Sequence, residues 1–196
     1  MRLFFAIELD RAARQRVADE QQRLRALVRD DATLRWMDSE QLHITLVFLG
    51  EVTEPAVTRL VGMAARPIDM SPFTLSFGGT GFFPPAGAPR VLWMGALEGA
   101  AQAGAVQRAI GDRAAACGVT FEQRPFRPHL TLARVRGQRG GSARLRRQLS
   151  TAAGDRHDPV ARISVHGVTL FRSLLSPQGS TYAALARAPL AEPPLQ

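Results

Sequence analysis

The segments QLHITLVFLG and RPHLTLARV each carry the pattern His-aliphatic-Thr-Leu, once at His43–Leu46 and once at His129–Leu132. Half of the chain's four histidines therefore sit in one repeated motif. Successive side chains of a strand point to opposite faces, so in each copy the histidine and the threonine share a face. The aliphatic neighbours take the other face, which in the first copy is expected to carry Leu42, Ile44, Leu46 and Phe48. The apolar side fixes each strand over a core and leaves an imidazole and a hydroxyl on the polar side. Two half-buried strands are thus required, and if they oppose each other they offer two imidazoles and two hydroxyls to one ligand.

A chain of 196 residues with 45% hydrophobic content can build one domain with a sizeable core, or two small lobes. Cys117 is the only cysteine, so no intramolecular disulfide can form and nothing points to an oxidising compartment. The apolar run Leu3–Ile7 is interrupted by Glu8, which makes it too short for a signal sequence or a membrane span. A cytoplasmic protein is the expectation. Formal charge is +8 and every basic side chain is arginine, a total that arginine-biased coding alone can produce. Placement is more telling. From Gln123 to Gly154 there is no Asp or Glu, while Arg124, Arg127, Arg134, Arg136, Arg139, Arg144, Arg146 and Arg147 bracket His129. Such a surface beside a reacting centre suits a polyanion such as RNA; the alternative is a solvated helix face and loop.

Patterning predicts mixed strands and helices. Strands are expected over 2–7, 42–49, 73–77, 91–97, 126–135, 162–171 and 181–186. Helices are expected over 11–29 with Asp10 as N-cap, after Pro55 to about 65, over 100–116 with a stop near Gly118, and over 142–152. Residues 78–89, rich in glycine and proline, read as a loop holding Phe82 and Phe83. The last residues, 188–196, contain three prolines and are expected to fray.

Cleaving a phosphodiester without a metal requires a base for the attacking water, an acid for the departing oxygen, and donors for the non-bridging oxygens. Histidine suits both proton-transfer roles because its unperturbed pKa lies near 6.5. Thr45 and Thr131 supply hydroxyl donors on the matching strand face. Paired histidines also suit a metal, but no His-Glu-x-x-His, cysteine cluster or close carboxylate pair accompanies them, so neither metal nor other cofactor is expected. His157 reads as a surface-loop residue and His166 as structural. Arg134 lies five residues after His129 and could clamp a phosphate. Strict alternation places it on the face opposite His129, so that role requires the strand to end, bulge or twist there.

These residues resemble the 2H phosphoesterase superfamily, and within it the bacterial RNA 2′,3′-cyclic phosphodiesterases historically called 2′-5′ RNA ligases. RLFFAIEL, LHITLVFLGEV, Arg90-Val91-Leu92-Trp93, RPFRPHLTLAR and LFRSLLSPQGSTY follow that family's pattern in order, from Arg2 to about Leu185. The resemblance implies an α+β bilobal fold, with two antiparallel sheets flanking a central cleft and helices outside. One motif would stand in each lobe of a single catalytic domain over 1–187. It implies His43 as proton donor to the leaving 3′ oxygen, His129 as the base that activates water, and Thr45, Thr131 and Arg134 as phosphate contacts. The implied substrate is RNA with a 2′,3′-cyclic phosphate end, or a small cyclic nucleotide, and the implied product a 2′-phosphomonoester. Other readings are 2′-5′ ligation through the same site and a basic RNA-binding module without chemistry. No membrane partner is expected, and nothing in the sequence sets the oligomeric state, with which a monomer is compatible. The arginine-rich stretch follows only the second motif, so the second strand is expected to lie nearer the substrate's phosphate chain, with no comparable cationic neighbourhood at the first.

Overall fold

A computed structural model of the chain describes residues 1–29, 33–121, 125–136, 142–153, 158–176 and 179–191. The elements run β1 (Arg2–Glu8), α1 (Arg11–Leu27), β2 (Leu34–Trp36), β3 (His43–Glu51), α2 (Glu54–Ala64), β4 (Ile68–Asp69), β5 (Phe73–Phe83) and β6 (Val91–Glu98). They continue with α3 (Ala100–Ala116), β7 (His129–Val135), α4 (Ser142–Ala153), β8 (Ala161–Val165), β9 (Gly167–Ser176) and β10 (Gly179–Ala191). The strands form two five-stranded sheets, one ordered β3-β1-β9-β10-β4 and the other β2-β7-β6-β5-β8. This is the α+β, two-sheet architecture expected, with one difference: β4 pairs parallel with β10, so the first sheet is mixed. β3 and β7, the two motif strands, meet across the cleft between the sheets.

The helices lie where their apolar stripes require. Asp10 caps α1 by accepting from the Ala13 N–H at 2.8 Å. Val17, Leu24 and Val28 form its buried line, while Leu27 falls off the line and is 43% exposed. α1 packs on β8 and α4, α2 on β9 and β10, and α3 on both β3 and β5, tying the two sheets together. Gly118, at φ +75°, ends the turn after α3 as its position suggested.

The second motif strand begins at His129 rather than Phe126, and three other departures from the expected boundaries change the architecture. Residues 78–83 continue β5 rather than forming a loop, because Gly79 (φ +61°) sits at a register shift that keeps the ladder to β6 intact. At Gly81 the bare backbone also leaves room for the Trp93 ring, which would meet a Cβ there at 2.2 Å. The single strand expected over 162–171 is two strands in different sheets, divided at His166. Gly167 permits this crossing, since its Cβ position lies 2.7 Å from the Ala188 carbonyl. The segment expected to fray from Ala188 is ordered in β10 as far as Ala191, with Ala188 and Leu190 buried; residues 192–196 lie outside the described residues, as does His157.

Each motif strand contains an extra residue at the same place in its motif relative to its neighbour, and β3 has a second one, Leu49, beyond Phe48. In β3, Thr45 pairs with Ala6 and Val47 with Phe5, leaving Leu46 as the additional residue. In β7, Thr131 pairs with Trp93 and Ala133 with Leu92, leaving Leu132. Leu46 and Val47 are both buried, as are Leu132 and Ala133, so alternation slips by one residue in each strand. Beyond the slip, residues that strict alternation assigned to the core turn to the polar side. Phe48 is therefore corrected from a core residue to one 46% exposed in the cleft.

The second bulge is held by α1. Gln21, buried, donates from its amide to the Leu132 carbonyl at 2.9 Å and to the Met37 carbonyl at 3.0 Å. The Met37 N–H donates to the same Leu132 carbonyl at 2.8 Å, so the carbonyl at this irregular strand position accepts two bonds. Gln21→Leu removes both side-chain bonds and is expected to cost about 1–2 kcal/mol. Thermal unfolding should show a fall of roughly 2–8 °C in the midpoint; an unchanged midpoint would mean that α1 does not support the bulge.

Candidate active site

The two motif histidines are built alike. Each ring nitrogen Nδ1 lies 2.7 Å from the backbone carbonyl two residues earlier, Gln41 for His43 and Arg127 for His129. A carbonyl can only accept, so Nδ1 carries the proton and Nε2 is left to serve the cleft. In β3 the Nε2 of His43 stands 3.1 Å from the Thr45 hydroxyl, which donates to it when the ring is neutral and accepts from it when charged. Aromatic rings brace both imidazoles. Phe4 and Tyr182 lie 5.0 and 5.1 Å from His43, and Phe83 lies edge-on to His129 at 5.0 Å with Trp93 beyond it.

A cavity of about 150 Å³ collects His43 and Thr45 from β3 with Thr131 and Arg134 from β7. His129 is not among the side chains lining that cavity. It shares the strand face of Thr131 and Arg134 and is close enough for its charge to disfavour a charge on His43. The bulge at Leu132 is what returns Arg134 to this face, meeting the condition that its position in the sequence set.

Burial is the largest influence on both imidazoles and holds each below the usual histidine value. The carbonyls of Gln41 and Arg127 oppose it, while Arg134 and His129 push His43 further down. Burial raises the Tyr182 phenol, and Arg134 and Arg2 act in the other direction. Among the described residues no three His, Cys, Asp or Glu side chains converge as metal ligands.

The duplicated motif, the two sheets and the shared cleft are accompanied by a match to the family model described as the 2′-5′ RNA ligase superfamily, over residues 12–177. The chain belongs to this superfamily. It is 32% identical over 184 residues to a protein of Methanothermobacter thermautotrophicus named RNA 2′,3′-cyclic phosphodiesterase, covering 93% of this chain and 95% of that one. A Thermus thermophilus protein of known crystal structure shares 30% identity at a TM-score of 0.72, covering 98% and 99% of the two chains. E. coli LigT, crystallised as a complex with 3′-AMP, shares 27% identity at a TM-score of 0.73, covering 97% and 98%. The 2H phosphoesterase resemblance of the sequence therefore extends to fold and relatives alike.

The cavity also contains residues the motif alone did not reveal. Gln41, Phe4, Phe48, Ser173, Ser180 and Tyr182 line the cavity beside the motif residues, and only the LFRSLLSPQGSTY and RLFFAIEL segments pointed toward some of them. Arg2 lines it too, with its guanidinium 4.9 Å from the centre of the Phe48 ring. The first motif thus has a cationic neighbour after all, supplied by β1, whose pairing with β3 the sequence did not display. Within the arginine-rich stretch, Arg146 is structural: it donates to the carbonyls of Pro84, Pro85 and Gly87 and covers the Phe82 ring. Arg124 and Arg139 lie outside the described residues. His166 is exposed at the crossover between β8 and β9, where its carbonyl accepts from the Leu190 N–H at 2.8 Å.

Both imidazoles titrate lower in the folded protein than in the unfolded chain, where their pKa is about 6.5. The unfolded chain then binds more protons once pH falls below about 6.5, so this contribution to stability is present above that pH and lost as pH drops through the lowered folded values. The unfolding midpoint should fall on acidification through this window, and a His43→Asn/His129→Asn double variant should fall less steeply. Identical slopes for the two proteins would show that the pair is not buried in its neutral form.

Proposed function

We infer that this protein is a metal-independent RNA 2′,3′-cyclic phosphodiesterase, with the cleft between β3 and β7 as its active site. The observation that carries the reading is the placement of two like-tautomer histidines on strands of opposite sheets, with two threonines and an arginine on the same strand faces. In-line displacement at phosphorus puts the entering and leaving oxygens on opposite sides, which calls for proton-transfer groups from opposite walls.

The chemistry follows from that arrangement. His129, neutral and with Nε2 free to accept, takes a proton from water as the water oxygen attacks phosphorus. The bond from phosphorus to O3′ breaks, and His43, protonated at Nε2, gives its proton to the departing oxygen. The product is a 2′-phosphomonoester with a free 3′ hydroxyl. Thr45, Thr131 and Arg134 hold the non-bridging oxygens, where charge accumulates. Arg134 has a second effect. In the free protein its charge disfavours protonation of His43; a bound phosphate anion offsets that charge and lets His43 take up the proton it must donate. The choice of His43 as acid and His129 as base rests on the superfamily resemblance, since the two motifs are chemically alike.

His43→Ala and His129→Ala are each expected to lower kcat/KM on a 2′,3′-cyclic phosphate by about 10²–10⁴-fold, with EDTA leaving the wild-type rate intact. The roles separate on a p-nitrophenyl phosphodiester, whose phenolate leaves without a proton. His43→Ala should keep most of the wild-type rate on that ester and His129→Ala should not; the reverse pattern would exchange the assignments. Because both free-enzyme pKa values are lowered, the kcat/KM profile should be a bell with its maximum on the acidic side of about pH 6.5. A rate that keeps rising into alkaline pH would be incompatible with paired imidazoles.

A further inference from the structure

Two further cavities adjoin the site, and their charges are opposed. On the His43 side, a cavity sharing Gln41, His43 and Tyr182 with the site is walled by Glu8, Asp38 and Glu40, with Arg14 ion-paired to Glu40. On the Arg134 side, a groove of about 470 Å³ is lined by Arg35, Arg90, Arg134 and Arg136 with no acidic residue. Arg134 lines both this groove and the catalytic cavity, so the two adjoin at that side chain.

The groove is built by backbone pairing, which fixes where its side chains start. Arg134 stands opposite Arg35 on β2 and beside Val91 on β6. Arg90 is pinned between strands, its N–H donating to the Phe83 carbonyl at 2.8 Å and its carbonyl accepting from the Val135 N–H at 2.9 Å. Arg136 donates its N–H to the Thr33 carbonyl at 2.6 Å. All four arginines are exposed. Arg90, Arg134 and Arg136 form no ion pair among the described residues, whereas Arg14, Arg23, Arg162 and Arg187 reach Glu40, Glu20, Glu98 and Glu8. Arg134 and Arg136 are two residues apart on one extended segment, a step of about 6.7 Å, which is the scale of successive phosphates on one nucleic-acid strand.

We propose that this arginine groove holds the RNA chain upstream of the reacting end, so that Arg90 and Arg136 contact the phosphates next to the cyclic one and make the enzyme selective for oligonucleotides over mononucleotides. The inference rests on the hydrolase reading for the identity of the reacting end. Glu8 and Glu40 in the cavity beyond His43 are ion-paired to Arg187 and Arg14, yet that cavity is lined by more carboxylates than arginines, so the groove is the more favourable path for a polyanion. Phosphate contacts of this kind strengthen binding without reading sequence.

The test compares cytidine 2′,3′-cyclic phosphate with a short single-stranded RNA ending in a 2′,3′-cyclic phosphate, for the wild type, Arg90→Ser/Arg136→Ser and Arg90→Lys/Arg136→Lys. The wild type should favour the oligonucleotide in kcat/KM by about ten-fold or more. The serine variant should lose that preference while turning over the mononucleotide at the wild-type rate, and the lysine variant should retain most of it. Binding of the matching RNA with a 3′-phosphate end is measured alongside, because it reports on the groove without turnover. Its salt dependence, log Kd against log salt, should flatten by about 1.4 in the serine variant for two lost contacts to a single strand. Preference and slope both unchanged in the serine variant would overturn the proposal, as would an equal loss on both substrates. If the wild type hydrolyses neither substrate, the hydrolase reading fails, and the binding slope alone then decides whether the groove holds RNA.

Discussion

One extra residue in each motif strand sets the geometry on which the rest of the site depends. Without Leu46 and Leu132, alternation would direct Phe48 and Arg134 into the cores of their sheets. With them, each strand presents three side chains to the cleft at the same spacing: His43, Thr45 and Phe48 on one wall, His129, Thr131 and Arg134 on the other. The walls match in backbone and differ in their third side chain. That difference makes the cleft directional, with an aromatic ring under the Arg2 guanidinium on one side and, on the other, a guanidinium with no ion pair among the described residues. The second bulge is satisfied partly by a side chain, Gln21, more than a hundred residues away in the chain, so α1 bears on the geometry of the cleft from behind its strand.

The electrostatics of the cleft are poised by the same groups that bind the substrate. Carbonyls behind each ring fix the tautomer and favour protonation, while burial, and at His43 the neighbouring charges as well, oppose it. The balance leaves both rings mostly neutral in the empty cleft. An anion arriving at Arg134 removes one of the opposing charges, so the protonated partner is made available by the ligand that needs it. Two identical side chains can in this way take different roles, because only His43 feels Arg134 among its principal influences.

Period-two patterning and the duplicated motif made much of this legible in the sequence. His43, Thr45, His129 and Thr131 were visible because a polar pair inside an apolar run is expensive unless it faces something. The Arg134 position showed only as a conflict, a residue of the right chemistry on the wrong face, and Phe48 showed as an ordinary core residue. Both were misplaced by the same cause, since a bulge is a property of strand pairing and leaves no local trace in composition. Pairing also hid Arg2, which reaches the cleft because β1 pairs with β3, and Ser173 and Tyr182, which reach it because β9 and β10 follow next to β1. Residues 78–83 misled for a different reason: their glycines signal a loop by propensity, yet here they make room for Trp93 and a register shift inside a strand. Helices were read closely because caps and apolar stripes are local, as Asp10 and the limits of α3 illustrate.

The crossing at Gly167 has a consequence for how the protein comes into being during translation. The sheet holding His129 has all its strands once residue 165 has emerged, whereas the sheet holding His43 must still wait for β9 and β10 to fill its centre. Until then β1 and β3 are a lone two-stranded pair, which is marginal in water. One wall of the cleft is therefore complete within residues 34–165, whereas the other needs both ends of the chain, and the cleft closes only when β9 and β10 are in place.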